Sequence, residues 1–284
     1  MRLTRREFIQ VAGLVAGAGT IELESAVAAD GGAMQSPAIN PAFLTGSPDD
    51  WPLAELASIG YKGLEVTPEC LGKPRSQKLP VVCVNAAPDL TPYLTGSLHD
   101  GVERRRRATL EHVLDVLETM NAEGIPLLVV APGRLAENYQ TADQARALFL
   151  SSVKELSAAA QNATILIASA PRRLFASSSQ LAALLDEIAC PNVAAALDIG
   201  HAMLCGENPP DAARTLGSRL RYVQLHDADV RPGTPRLDRH LPLGKGSVDR
   251  NSVRAAIKGM PVSVNITAPE DPLAAARGAL AWVT

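Results

Sequence analysis

The sequence predicts a single (β/α)8 barrel, the TIM-barrel architecture, with a shortened second helix. Three observations carry that prediction. Short apolar runs alternate with helical patterns along nearly the whole chain. The best-defined repeat, residues 193–227, is a β-α-β unit whose two strands, 194–197 and 222–225, end in polar residues: Asp198 with His201, then His226 with Asp227. Barrels of this class put their active sites at the carboxyl ends of their strands. No Gly-x-Gly-x-x-Gly follows any of the apolar runs, which disfavours a dinucleotide-binding sheet.

Taken in order, residues 1–28 precede the fold. Thr4-Arg5-Arg6-Glu7-Phe8-Ile9-Gln10, the weakly apolar run 11–21 and the small triplet Ala26-Val27-Ala28 form the pattern of a twin-arginine signal peptide, cut after about Ala28. The run is too short for a stable membrane anchor. The expected partner is therefore the twin-arginine (Tat) export machinery, and the expected location is periplasmic or secreted. Residues 29–37 are small and polar and read as a disordered lead-in, leaving 38–284 for the barrel.

A first strand is expected over 39–43, although Pro41 removes a ladder donor. Residues 51–59 have helical spacing and end at Gly60, and 63–66 form the second strand with Glu65 near its carboxyl end. Gly72, Pro74 and a lack of apolar residues reduce the second helix to a turn. The third strand, 80–84, runs into a long loop, 85–100, that carries Asn85, Asp89, Tyr93 and His99 over the mouth. The longest helix, 102–123, has Val113, Leu114, Leu117 and Met120 on one face and stops at Gly124. Its four arginines at 104–107 point in different directions and read as solvated surface rather than a phosphate site. Strands at 127–131 and 164–168 and helices at 141–161 and 177–189 lead to the central repeat, whose own helix is expected over 210–219. A helix at 249–258, a strand at 262–266 and a helix at 272–282 close the chain.

The 284 residues are 46% hydrophobic, enough for one large core, and no linker interrupts the middle. A net charge of −3, from 27 basic and 30 acidic residues, favours neither nucleic acid nor an anionic membrane as partner, and 4% aromatics weakens base stacking further. Cys70, Cys83, Cys190 and Cys205 show no CxxC or zinc spacing; scattered core thiols are the simpler reading, with a disulfide as the alternative.

The stretch Leu197-Asp198-Ile199-Gly200-His201-Ala202, the later Val223-Gln224-Leu225-His226-Asp227 and the loop sequence HLPLGKGSVD at 240–249 resemble the xylose-isomerase-like barrels, the group of sugar phosphate isomerases and epimerases. The resemblance spans about 39–283. It implies a divalent metal, manganese, zinc, cobalt or magnesium, held by Glu, Asp, His and Glu from four strand ends, which orients two sugar oxygens while a proton moves. Matched position by position, only Asp198 is kept. Ala168, Gln224 and Asn265 stand where Glu, His and Glu are implied, so no metal cofactor is expected; Asp198, His226 and Glu65 would hold one if it binds.

Asp198 either serves the site or caps the following helix. His201 lies three residues on, above the barrel, and His226 faces inward with Gln224 while Asp227 faces away. Glu65 reads as a base or hydroxyl acceptor, or as one half of an ion pair with Arg239 or Lys245. Glu65, Asp198, His201 and His226 are thus the candidate catalytic groups. Asn85, Ser169, Gln224, His240, Lys245 and Asn265 are the candidate substrate contacts. The implied activity is that of an isomerase, epimerase or lyase moving a proton on a sugar, polyol or related keto compound. The alternative is a catalytically silent barrel that binds a carbohydrate-like ligand or a partner.

Overall fold

The computed structural model describes residues 37–41, 51–71, 79–86, 96–134, 140–267 and 270–283. The twin-arginine segment, most of the lead-in, Gly72 and Pro74, and Asp89 and Tyr93 lie outside the described residues.

Eight parallel strands close into a barrel in simple chain order. They are β1 (Ala38–Ile39), β2 (Gly63–Val66), β3 (Val81–Asn85), β4 (Leu127–Val130), β5 (Thr164–Ala168), β6 (Val193–Asp198), β7 (Leu220–Leu225) and β8 (Val262–Val264). Closure is made by β1, which pairs with β8 through Ala38 and Ser263 and with β2 through Ala38 and Gly63. The first strand is shorter than the sequence suggested and stops before Pro41, whose ring nitrogen cannot join the ladder.

Described helices cover the outside: α1 (Leu53–Ile59), α2 (Glu103–Glu123), α3 (Ala142–Ala159), α4 (Ser178–Ile188), α5 (Ile199–Leu204), α6 (Pro209–Leu216), α7 (Arg250–Ala256) and α8 (Pro272–Val283). After β2, the described residues form a short 3-10 turn, Pro68–Cys70. α3 opens on Thr141, whose hydroxyl accepts from Gln144 N while the Gln144 side chain returns to the Thr141 backbone. Ser177 caps α4 in the same way, with Gln180 as its partner. The helical segment expected at 210–219 begins one residue earlier as α6, and a separate short helix, α5, precedes it, started by Asp198.

Strand residues alternate between two apolar layers, as a pleated strand requires. Leu128, Val130, Ile165, Ile167, Leu197, Val223 and Leu225 face the helices in the main core. Their neighbours Val129, Leu166, Ala168, Ala194, Ala196 and Tyr222 pack with Cys83 in a smaller inner cluster. Continuing that inner phase toward the carboxyl ends puts Asp198, Gln224 and His226 inside the mouth. All four cysteines are free thiols. Among the described residues no helix is long and apolar enough to cross a membrane.

Candidate functional site

Two polar groups are stacked at the carboxyl end of the barrel. The deeper one is centred on Glu65, which has no exposed surface. Its Oε1 accepts from Asn85 Nδ2 at 3.0 Å, Gln224 Nε2 at 2.7 Å and Asn265 Nδ2 at 3.0 Å. Its Oε2 accepts from the Tyr222 hydroxyl at 3.0 Å and Ser263 Oγ at 2.6 Å. Five neutral donors from β3, β7 and the β8 end therefore meet one carboxylate, in place of an ion pair with Arg239 or Lys245. Burial pushes the Tyr222 phenol well up, with Cys83 and Glu65 adding to it, so it stays a donor.

The upper group is one step further out along the strands. His226 follows Gln224 by two residues on the same face of β7, and its Nε2 lies 2.8 Å from Asp198 Oδ1 at the end of β6. His201 sits on the first turn of α5, where its backbone N–H donates to Asp198 Oδ1 at 2.9 Å. Asp198 thus both caps the helix and faces the histidines. Gly200 precedes His201, and a Cβ there would run into the His226 ring, so only glycine admits this packing. His240 stacks on His226 with ring centroids 4.0 Å apart. The His201 ring stands edge-on to both, at 5.3 Å from His226 and 5.8 Å from His240.

A folded-back loop brings His240 there. Leu241 and Asp227 exchange two backbone hydrogen bonds, N to O at 2.8 and 3.1 Å, so the neighbouring His240 lands on the neighbouring His226. Asp227, facing away from His226 as its position on the strand requires, accepts from the backbone N–H groups of Ala228, Val248 and Gly244. Gly246 lies so close to that carboxylate that a Cβ would strike it. His240 itself has a left-handed backbone, φ 46°, uncommon for a residue with a side chain. Thr267 N donates to its carbonyl at 2.7 Å, and its Nδ1 is 2.7 Å from the carbonyl of Asn265.

Asp238, absent from the sequence-based candidates, completes the group. Its Oδ2 is 2.8 Å from His201 Nε2 and its Oδ1 is 3.6 Å from His240 Nε2. The only signal in the sequence was its place two residues before His240. Burial alone would raise the Asp198 carboxyl, but the facing histidines reverse that and hold it well below the usual carboxylate range. For His201 burial would lower the imidazole, and Asp198 with Asp238 outweighs it, raising it to about 9. Burial, assisted by His226, lowers His240 to about 4.

Of the sequence candidates, then, Asp198, His201, His226 and His240 come together, while Glu65, Asn85, Gln224 and Asn265 form the deeper group. Glu65, named with Asp198 and His226 as a holder of any metal, has both oxygens accepting from the five donors of the deeper group. Ser169 is buried one residue beyond β5, and Lys245 is exposed on the loop; neither is among the contacts of the two groups. The residues at the implied metal positions do not fit a divalent ion: Ala168 has no ligand atom, and the side-chain N–H groups of Gln224 and Asn265 converge on Glu65.

A family model for xylose isomerase-like TIM barrels matches residues 53–284. The chain belongs to that family. A 3-keto-D-glucoside 4-epimerase from E. coli is 19% identical with a TM-score of 0.70, over 88% of this chain and 99% of that one. A D-psicose 3-epimerase from Clostridium cellulolyticum H10, solved with D-tagatose, is 13% identical with a TM-score of 0.70, over 88% and 97%. The IOLI protein, solved with a bound zinc atom, is 18% identical with a TM-score of 0.71, over 87% and 96%. No curated protein matches the chain significantly. At these identities the solved structures bear on the fold of this family member.

Proposed function

We propose that the chain is a carbohydrate-active enzyme of the isomerase or epimerase type, moving a proton on a sugar, polyol or related keto compound. The observation that carries this reading is the gathering of three imidazoles and two aspartates at the carboxyl mouth of a barrel, the place where this architecture does its chemistry. Proton transfer beside a sugar carbonyl needs groups that take and return a proton within hydrogen-bond reach, and imidazoles and carboxylates are the side chains that commonly do so. Related barrels named as epimerases of 3-keto-D-glucosides and of D-psicose support a keto-sugar class of substrate. Lys245, exposed on the adjoining loop, is the candidate to meet an anionic substituent. The proposal includes export by the Tat machinery to the periplasm or beyond, on the strength of Thr4 to Gln10 and Ala26-Val27-Ala28.

The second reading, a barrel that binds a carbohydrate-like ligand without turning it over, is favoured by one observation: Gln224 and Asn265 are bound to Glu65 rather than directed at a ligand. Incubating the protein in deuterated water with a panel of keto-glycosides, ketoses and inositols, and following C–H loss by proton NMR, separates the two. Exchange on at least one compound, abolished in His226→Gln, is the expected result. Binding without exchange across the panel overturns the enzyme reading in favour of the silent barrel.

A further inference from the structure

We propose that Glu65 is a positioning residue for the imidazole stack at the mouth: through Asn265 and Gln224 it fixes where His240 lies on His226, while its own five hydrogen bonds all go to other side chains. The proposal rests on the functional reading and deepens it, because the stack is where that reading places proton transfer. Two of the five donors to Glu65 belong to the backbone that carries the stack. Gln224 is two residues before His226 on the same face of β7, and Asn265 presents its backbone carbonyl to His240 Nδ1 at 2.7 Å.

The path from Glu65 to His240 is short, and each link has a direction. Glu65 Oε1 accepts from Asn265 Nδ2 at 3.0 Å; Ser263 Oγ lies 2.6 Å from Oε2 and 3.2 Å from Asn265 Oδ1, so both ends of the Asn265 amide are held. One residue past the last strand residue of β8, the Asn265 N–H donates to the Leu225 carbonyl at 2.9 Å. Its own carbonyl accepts from His240 Nδ1, and Thr267 N donates to the His240 carbonyl at 2.7 Å. Residues 265–267 therefore hold His240 by ring and by backbone at once, in a left-handed conformation, φ 46°, that persists only where its surroundings fix it. An acceptor facing Nδ1 keeps that nitrogen protonated in either charge state of the ring.

The barrel seam makes this tether necessary. β1 supplies only Ala38 and Ile39 between β2 and β8, whereas β6 and β7 pair along four positions. So short a strand leaves little ladder to set how the end of β8 projects over the mouth. Glu65, on β2, reaches past that seam to Ser263 and Asn265, and on to Tyr222 and Gln224 of β7. One carboxyl group thus ties together the ends of the two strands that place His226 and His240, and with no exposed surface it has no solvent to replace a lost partner. A shift of about 1 Å at a reacting group costs about a hundredfold in rate, so a tether of this kind acts on chemistry it does not touch.

The test follows the five histidines of the full-length chain by imidazole nitrogen NMR and, in the same samples, C–H exchange on the responsive sugar. The His240 signal is assigned by its absence from His240→Asn, in which Asn tolerates the left-handed backbone. Glu65→Gln puts an NH2 group among the donors, and Asn265→Ala keeps the carbonyl but loses the tether. Each should move the His240 Nδ1 resonance from a carbonyl-bonded to a solvent-averaged position. Each should also lower kcat about tenfold or more while KM changes less than about threefold. Val153→Ala, a core truncation on α3, is the stability control and should alter neither readout. Circular dichroism checks every fold, and if Glu65→Gln does not fold, Asn265→Ala decides alone. A wild-type His240 resonance in folded Asn265→Ala overturns the proposal, as does an equal shift in Val153→Ala. A shifted imidazole in the variants, with no exchange by the wild type on any compound, leaves the positioning role standing and removes the enzyme reading; undiminished exchange in variants with wild-type resonances does the reverse.

Discussion

Glu65 is a buried carboxyl group held by five N–H and O–H groups that all point at it. Hydrogen bonds to a charged acceptor contribute about 1.5–3 kcal/mol each, and a donor left facing another donor costs a comparable amount. Glu65→Gln puts an NH2 group among those donors. Urea unfolding should show a loss of roughly 2–4 kcal/mol for Glu65→Gln and about 1 kcal/mol for Asn85→Ala, which removes only one of the five. Equal losses would mean that the carboxylate is not the centre of the group. His240 makes the complementary point: its ring reaches the His226 stack from a left-handed backbone in a loop, so small changes in that loop should move it.

At the scale of elements, the loop from Ala228 to Val248 is tied down by Asp227 as well as by Leu243 and Val248, which pack against the core. Three backbone N–H groups of that loop end on its carboxylate, and the Leu241 bridge shares its backbone. Asp227→Ala leaves those donors without their acceptor while the barrel strands keep their ladders. Proteolysis within 228–248 should accelerate about tenfold or more, because local opening is governed by the few contacts that tie a segment down. The melting temperature should fall by only a few degrees, about 2–4 °C for each kcal/mol lost in a domain of this size. A large drop with no new cleavage would show that the loop is structurally part of the barrel core. Short α5 depends on the same economy, since Gly200 admits the His226 ring and Asp198 starts the helix.

For the whole molecule, acid stability is the global property that the buried charges control. His99 lies beside Phe149, with Nε2 3.3 Å from the carbonyl of Arg134 and Asp100 next in the chain, itself bound by Arg105. Burial lowers its imidazole below the ordinary 6.5, only partly offset by the Arg134 carbonyl and the Asp100 charge. The folded state thus binds fewer protons than the unfolded state just below that value, and stability rises with pH there. The contribution is full above about pH 6.5 and is lost as pH falls through the folded value. His99→Gln, which keeps a polar contact to Arg134 without titrating, should flatten the stability profile just below pH 6.5. Parallel profiles for the two proteins would show that His99 does not report on folding.

The sequence alone determined the barrel and its rhythm, because strand alternation and helix spacing are local patterns. GLEV at 63–66, TILIA at 164–168 and the run into Asp198 carry their own phase, so Asp198, His201 and His226 could be placed at one mouth before any contact was known. Folding decided which polar residues share a site. Glu65 meets Asn265 across 200 positions of chain, and it does so because β1 joins β2 to β8 and closes the ring. Asp238 and His240 lie in a loop with no periodicity to read, and only its antiparallel return onto Asp227 sets them on His201 and His226. Local sequence specifies dihedral preference and burial phase; distances between strand ends arise from closure and loop return, which no single stretch encodes.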